Sequence, residues 1–319
     1  MNKTSIEWCD YTANPIKYRD RETGKSVWAC VKVSAGCAHC YSEALAKRYG
    51  RGGPFTVGQM ARVEAYLDER ELNALLSVKR CPRGSKVFVG DMTDVFGPWV
   101  TDEMLARMYA VFARRPDVVI QILTKRPERM WAWATDPATP SRISTAYMAL
   151  QTGIREGLPF TSNLATGRVE FPWWPLANVW LGTSVEDQQR ADERIPELLA
   201  CPAAVRFVSA EPLLGPVDLT AIDKTHQTDP GFDALYCDDD WEGTLGDAVL
   251  DWVIVGGESG PGARPMDVAW ARSLVSQCQA AGTAVFYKQG GSAHRCPHSA
   301  KGGCFECVPK DLRVREFPR

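Results

Sequence analysis

Three closely spaced cysteines in the N-terminal part of the chain are the residues best suited to do chemistry. Cys30, Cys37 and Cys40 form the pattern C-x6-C-x2-C, and residues 41–49 behind them have helical character. Three thiolates at this spacing can ligate one face of an iron–sulfur cubane and leave one iron open to water or substrate. The helix would offer amide donors and a positive dipole end to the anionic cluster. The pattern predicts a redox-active iron–sulfur cluster.

Two other interpretations of this loop stay open. Free cysteines often behave as small hydrophobic residues, although three within eleven residues beside Gly36 make that the weaker interpretation. A zinc site is the stronger rival, with His39 or Cys9 as a distant fourth ligand. For the remaining cysteines outside the C-terminal region, packing is the default interpretation: Cys81, Cys201, Cys237 and Cys278.

A second group of metal-ligating side chains lies near the C-terminus. Cys296, His298, Cys304 and Cys307 fall close together, with His294 just before them. This spacing fits a small zinc site or a second iron–sulfur cluster, and it also fits unligated residues. The same region is locally basic, which is compatible with phosphate contact or with a solvated face. The basic residues are Arg295, Lys301, Lys310, Arg313 and Arg315.

Composition limits the class of protein. The 319 residues are 45% hydrophobic and 24% charged, as in a folded globular chain, and the net charge of −2 gives no overall basic footprint for nucleic acid. Eleven cysteines are an odd number, and the N-terminus lacks the apolar region of a signal peptide, so a disulfide framework is not expected. No run of 18 apolar residues is present, so we expect a cytoplasmic protein without a membrane span.

Short apolar runs alternate with helical stretches, which is typical of a parallel sheet covered by helices. Helices are clearest at 41–49, 102–114, 187–200 and 267–281. Strands are expected at Val27–Ala29, Lys86–Val89, Val118–Leu123, Val179–Thr183, Val205–Val208, Trp252–Val255 and Ala284–Tyr287. Such units could close as a barrel or open as a doubly wound sheet. Of the two we expect an α/β fold with a partial or complete (β/α) TIM-like barrel over 1–290 and a Cys/His-rich basic extension at 291–319. Residues 135–178 and 220–249 interrupt the pattern as insertions.

Polar residues gather directly after the predicted strands. The carboxyl ends of parallel strands form the active face of such folds, so these side chains are expected to converge on one site. Glu211, Glu258 and Lys288 are candidate catalytic residues, and Lys125 and Arg126 add positive charge for a polar or phosphorylated substrate. The other strand-end candidates are Gly90, Asp91, Met92, Thr93, Ser184 and Glu186.

Cys37-x-x-Cys40-Tyr41 at the end of a first barrel strand resembles the cluster loop of radical S-adenosylmethionine (radical SAM) enzymes. More of the chain resembles a phage-type three-cysteine-motif family, found in phages and bacteria and without a settled reaction. The matching segments are Ile6-Glu7-Trp8 with Asn14-Pro15, the cysteine loop, 179–186, 191–196, 206–215, 252–260 and Lys288-Gln289.

The resemblance implies a [4Fe-4S] cluster on the three cysteines and S-adenosylmethionine as cofactor. His39 would take the place of the aromatic residue near the adenine, Gly90, Asp91, Met92 and Thr93 would hold the methionine amine, and Ser184 and Glu186 the carboxylate or ribose. A 5′-deoxyadenosyl radical would then act on nucleic acid or a nucleotide, in DNA repair or base modification. An electron donor and a partner protein encoded nearby are expected.

Two alternatives come from other classes. One is a nucleic-acid-binding protein with a structural iron–sulfur or zinc site. The other is a zinc-dependent hydrolase, with Glu258 as the general base.

Overall fold

A computed structural model of the chain describes residues 1–150, 161–163, 168–170, 174–223, 231–236, 248–294, 296–299 and 303–318. The acidic run at 238–240, the residues 171–173, Cys237, Arg295 and Lys301 lie outside the described residues, as do parts of both predicted insertions. Within the described part, no helix is both long and apolar enough to cross a membrane.

The elements follow one another as strands and helices numbered in chain order. The strands are β1 (Asn2–Lys3), β2 (Tyr11–Ala13), β3 (Ile16–Asp20), β4 (Ser26–Val27), β5 (Val63–Leu67), β6 (Lys86–Val89), β7 (Val119–Thr124), β8 (Thr161–Asn163), β9 (Arg168–Glu170), β10 (Val179–Ser184), β11 (Val205–Ala210), β12 (Trp252–Gly256) and β13 (Ala284–Gln289). The helices are α1 (Tyr41–Arg48), α2 (Val57–Ala61), α3 (Glu69–Leu76), α4 (Asp102–Ala113), α5 (Pro127–Thr135), α6 (Thr139–Ala149), α7 (Gln188–Leu199) and α8 (Val268–Ala281), with 3-10 turns at Ala35–Cys37 and Lys310–Leu312.

The central sheet has eight strands in the order β1-β2-β6-β7-β10-β11-β12-β13. Only β1 is antiparallel to its neighbour, and the other seven strands are parallel. Successive strands of the sheet are therefore neighbours, without the reversal of order that defines a doubly wound sheet. Since no described pairing joins β1 to β13, the structure is a mixed α/β fold with a mostly parallel sheet, and a closed barrel is not confirmed.

Most predicted elements are confirmed to within a residue or two, and one strand prediction is wrong. Residues 27–29 do not form the first strand of the main sheet. Val27 instead pairs with Tyr18 in β3, within a separate antiparallel sheet of order β4-β3-β5. The main-sheet strand that precedes the cysteine loop is β2, which pairs with β6.

The two faces of the sheet bury different side chains. Val87, Val89, Ile120 and Ile122 belong to the large core on the helical side. The opposite face holds an aromatic cluster, here called the aromatic plug, made of Trp8, Phe88, Phe207, Trp252 and Phe286. Ring centroids of Trp8 lie 4.8 Å from Phe88 on β6 and 6.5 Å from Phe207 on β11. Because β7 and β10 lie between these strands, the sheet curves around the plug.

The C-terminal segment folds back along the outer edge of β13. The Tyr287 amide donates to the Val314 carbonyl at 2.9 Å, and the Glu316 amide donates to the Val285 carbonyl at 3.0 Å. The ring of Phe317 then packs 5.3 Å from that of Trp252 in the aromatic plug. The segment thus covers a strand edge that would otherwise expose unpaired backbone groups.

Candidate metal and cofactor site

The cysteine loop, residues 29–40, lies across the carboxyl ends of the parallel strands. Side chains that follow successive strands hold it there. After β6, the Thr93 hydroxyl donates to the Ala29 carbonyl at 3.1 Å. After β7, Arg126 Nη2 donates to the Val31 carbonyl at 3.2 Å, and its Nη1 lies 3.2 Å from the Asp94 carboxylate. Side chains after β6 and β7 therefore fix two backbone carbonyls of the loop.

The end of β10 contributes a fully buried carboxylate to the loop. Glu186 Oε1 accepts the backbone amide of Gly36 at 3.1 Å, and Oε2 lies 2.9 Å from Arg194 Nη1 and 3.7 Å from Lys125 Nζ. Burial opposes ionisation of Glu186, but the two cations outweigh it and hold its pKa below the ordinary value. A Cβ on Gly36 would lie 2.9 Å from Glu186 Oε1, so this approach requires glycine.

The end of β12 supplies a second anchored carboxylate. Glu258 Oε2 accepts the backbone amide and Nε of Arg264 and lies 2.9 Å from His39 Nδ1. Burial opposes its ionisation, yet the hydrogen bonds from Arg264 and His39 lower the pKa of Glu258 to about 2. Arg264 Nη2 also donates to the Ala35 carbonyl at 3.0 Å. The pair therefore orients the imidazole and the loop backbone together.

The segment after β6 meets the start of α1. Gly90 has a φ of +87°, a conformation that favours glycine. The Asp91 carbonyl accepts the hydroxyls of Tyr41 and Ser42 at 2.8 and 2.7 Å, which ties the segment to the first turn of α1. Burial raises the pKa of the Asp91 carboxyl to about 6, although Asn14 Nδ2 donates to it at 2.5 Å.

The three thiols have different surroundings. Burial, together with Asp94, raises the pKa of the free Cys30 thiol to about 12. Cys37 Sγ lies 4.0 Å from the Ser34 hydroxyl, and Cys40 is the N-cap residue of α1. Their sulfurs are not gathered within 4.8 Å of one another, whereas the ligands of a single metal ion would be. The ligands of a cubane attach to separate iron atoms and stand farther apart.

The two possible fourth zinc ligands have different surroundings. Cys9 is buried with its Sγ 4.0 Å from the Ile6 carbonyl. His39 directs its Nδ1 to Glu258, which leaves Nε2 as the nitrogen that could bind a metal. Among the described residues, the ligand atoms of this loop are not gathered as closely as a single zinc ion requires.

Glu211 and Lys288 form an ion pair at the ends of β11 and β13. Lys288 Nζ lies 2.7 and 2.8 Å from the two carboxylate oxygens, and Gln289 Nε2 donates to Glu211 Oε1 at 3.2 Å. The pairing of β12 with β13 shifts register here, since Val255 lies opposite Tyr287 but Gly256 lies opposite Gln289. Lys288 and Gln289 can therefore both reach Glu211, at the carboxyl ends of the parallel strands.

The C-terminal cysteines and histidine are close enough to bind a metal ion. The sulfurs of Cys296, Cys304 and Cys307 all lie within 4.8 Å of one another. His298 Nδ1 lies 3.6 Å from the Cys304 sulfur and 3.4 Å from the Cys307 sulfur. His294, by contrast, places Nε2 2.6 Å from the Met266 carbonyl and is engaged elsewhere.

The structure brings most of the predicted strand-end residues to the cysteine loop and adds partners that sequence reasoning missed. Met92 and Ser184 are buried, and their backbone groups contact Asn14 Oδ1 and Arg194 Nη1. Asp94 belongs to the predicted strand-end segment after β6, without an assigned role, and the missed residues are Arg194 and Arg264. The only sequence signal for the two arginines was their position six to eight residues after a strand-end glutamate.

One comparison with known proteins covers nearly the whole chain. A family model described as "Protein of unknown function (DUF5131)" matches residues 3–306. The chain belongs to this family. The matched range includes the cysteine loop and every strand-end residue of the site, and it ends one residue before Cys307. No curated protein and no solved structure matches the chain, so the family relationship supplies no reaction.

Proposed function

We propose that the protein is a radical SAM-like enzyme with a [4Fe-4S] cluster on Cys30, Cys37 and Cys40. The observation that carries this proposal is the anchoring of the cysteine loop by side chains from the ends of β6, β7, β10 and β12. Catalytic groups of parallel α/β folds collect at these strand ends. A structural cluster would have no need of this position.

Each part of the site has a distinct role in the proposal. The three cysteines ligate three irons and leave the fourth for S-adenosylmethionine. With this cofactor bound, one electron from an external donor would cleave its sulfonium and release methionine and a 5′-deoxyadenosyl radical, which would abstract hydrogen from the substrate. Gly90 to Thr93 and Ser184 would hold the cofactor, while Glu186 positions the loop. His39, held by Glu258, would lie on the adenine side.

Glu211 and Lys288 are the proposed substrate-side groups. Their ion pair lies at the carboxyl ends of β11 and β13, where Lys288 can hydrogen-bond to a polar atom and Glu211 can accept a proton. Nucleic acid or a nucleotide is the proposed substrate class, and the reaction belongs to DNA repair or base modification.

Anaerobic reconstitution with iron and sulfide tests the cluster. We expect brown protein with about four irons per chain, and loss of iron in each of Cys30→Ala, Cys37→Ala and Cys40→Ala. Cys278→Ala is the matched control, since this buried cysteine lies in α8, away from the loop. Colourless protein, or full iron content in any loop variant, contradicts the ligand assignment.

A second measurement separates the radical enzyme from a protein with a structural cluster. S-adenosylmethionine should change the electron paramagnetic resonance spectrum of the reduced cluster, because one iron is open to it. Dithionite reduction should then release 5′-deoxyadenosine. An intact cluster with an unchanged spectrum and no 5′-deoxyadenosine favours the nucleic-acid-binding alternative. The zinc-hydrolase alternative is the weakest, since Arg264 and His39 occupy the carboxylate oxygens that Glu258 would need as a general base.

For the second metal site we propose zinc, bound by Cys296, His298, Cys304 and Cys307. With zinc–sulfur bonds of about 2.3 Å and zinc–nitrogen bonds of about 2.0 Å, a tetrahedral site places two sulfurs about 3.8 Å apart and a sulfur and a nitrogen about 3.5 Å apart. The distances of 3.6 and 3.4 Å from His298 Nδ1 to two sulfurs match this geometry. Metal analysis should find one zinc per chain, and Cys307→Ser should lose it.

A further inference from the structure

Carboxylates inside the protein take up most of the positive charge predicted at the mouth of the site. Arg126 pairs with Asp94 and Lys288 with Glu211, while Lys125 shares Glu186 with Arg194. A polyanionic substrate gains little from a cation that has a carboxylate partner. Beyond Lys125, phosphate groups therefore need positive charge from elsewhere on the molecule.

The C-terminal segment carries cations of a different kind. Lys310, Arg313 and Arg315 form no ion pair with a carboxylate among the residues that the structure describes. Backbone carbonyls nevertheless hold the arginines, since Arg313 Nε donates to Val308 at 2.9 Å and Arg315 Nη2 donates to Lys288 at 3.4 Å. These guanidinium groups are thus positioned by the fold while their charge is left available.

An aromatic ring lies beside the two arginines. Phe305 sits in the turn between Cys304 and Cys307 and is 44% exposed. The guanidinium carbons of Arg313 and Arg315 lie 5.9 and 5.4 Å from its ring centroid. An exposed ring next to fixed cations can stack on an unpaired base while the cations contact its phosphates. A base-paired duplex offers no free base face for such stacking.

This surface also adjoins the proposed catalytic pair. Arg315 bonds to the backbone of Lys288, and a Cβ on Gly303 would lie 3.5 Å from Gln289 Cβ. Lys288 and Gln289 both contact Glu211. A strand that stacks on Phe305 therefore lies next to the end of β13.

We propose that Phe305, Lys310, Arg313 and Arg315 bind single-stranded nucleic acid. The inference rests on the proposed function, because it names the form of nucleic acid that the site would act on. The surface itself needs neither the cluster nor S-adenosylmethionine. Binding can therefore be measured separately from radical chemistry.

Fluorescence anisotropy tests the proposal with zinc-loaded full-length protein, without reductant or S-adenosylmethionine. The probes are labelled 12-nucleotide single-stranded DNA and RNA of mixed sequence, with the matching duplexes as competitors. We expect single strands to bind more tightly than duplexes, and Phe305→Ala to weaken binding about tenfold through lost stacking. Lys310→Gln should weaken binding less. It should also reduce the slope of the logarithm of the binding constant against the logarithm of the salt concentration by about one.

Matched variants control for general effects. Tyr236→Ala removes another exposed ring, and Arg80→Gln removes an exposed charge from the loop before β6, so neither should change binding. Phe305→Trp should preserve binding, and Phe305→Leu should weaken it with zinc content unchanged. Absence of binding, equal binding by Phe305→Leu and the unmodified protein, or equally tight heparin binding independent of Phe305 overturns the proposal. Binding without 5′-deoxyadenosine production would instead count against the radical reaction alone.

Discussion

Glu186 accepts a hydrogen bond from the backbone amide of Gly36 at 3.1 Å, across 150 residues of chain. The carboxylate is fully buried and is held by two cations, so it cannot move aside without leaving a charge unpaired. Residue 36 lies next to Cys37. The contact therefore couples the end of β10 to the position of a proposed cluster ligand.

Gly36→Ala should disturb the cluster without touching a cysteine. The added methyl group would lie 2.9 Å from Glu186 Oε1, so either the loop or the carboxylate must shift. We expect less than about half of the iron content after anaerobic reconstitution. Gly58→Ala is the control, because the nearest atom to its added methyl group is 4.0 Å away. Equal iron content in both variants would show that the contact does not position the loop.

Asp91 should make stability depend on pH. Its folded pKa of about 6 lies above the ordinary value of 3.8, because burial disfavours the charged form. The folded state therefore holds the proton more tightly, and stability is lost as the pH rises from about 4 through 6. The difference corresponds to at most about 3 kcal/mol. Asp91→Asn should remove this loss.

Urea unfolding between pH 4 and pH 8 measures the effect. The stability of Asp91→Asn relative to the unmodified protein should improve as the pH rises, while the exposed-site control Glu64→Gln should show no such trend. A constant difference across this range would mean that Asp91 titrates normally in the folded protein.

The main sheet was largely predictable, because strands buried on both faces appear as continuous apolar runs. The run from Trp252 to Val255 is an example, and all of its residues are buried. Strand β2 was missed because it has only three residues and Thr12 interrupts its apolar character. Val27 was placed in the wrong sheet because its pairing with Tyr18 depends on a hairpin that the local pattern does not specify.

The site was only partly predictable for a related reason. The position after a strand identified Glu186, Glu258 and Lys288 from local sequence alone. Their partners depend on tertiary structure. Arg264, for example, binds Glu258 and also donates to the Ala35 carbonyl, which lies 229 residues earlier in the chain. The sequence therefore predicted which residues converge, and the structure showed that the cations among them are paired.

The Glu211–Lys288 ion pair should show strong coupling in a double-mutant cycle. Both side chains are less than a fifth exposed, so removing one partner leaves a poorly solvated charge. Glu211→Gln and Lys288→Met should each lower the free energy of unfolding. We expect the sum of these two losses to exceed the loss in the double variant by roughly 1–2 kcal/mol. The control cycle uses Arg272 and Asp311, whose side chains are half exposed, and should give roughly 0.5 kcal/mol. Similar coupling in both cycles would contradict a low-dielectric site.

Zinc removal should release the C-terminal segment and leave the cluster in place. The loop bearing the four proposed ligands connects β13 to the residues that return along its edge, so a bound zinc would close this turn. Without zinc, Arg313 and Arg315 should become more accessible to trypsin, because the pairing of Val314 and Glu316 with β13 loses its nearest metal constraint. Cys307→Ser should behave like chelator-treated protein. Trypsin should cut it several times faster at these arginines, and it should still retain its iron.

Two outcomes would contradict this prediction. Loss of iron in Cys307→Ser would show that the two metal sites depend on each other. An unchanged cleavage rate would show that strand pairing alone holds the segment.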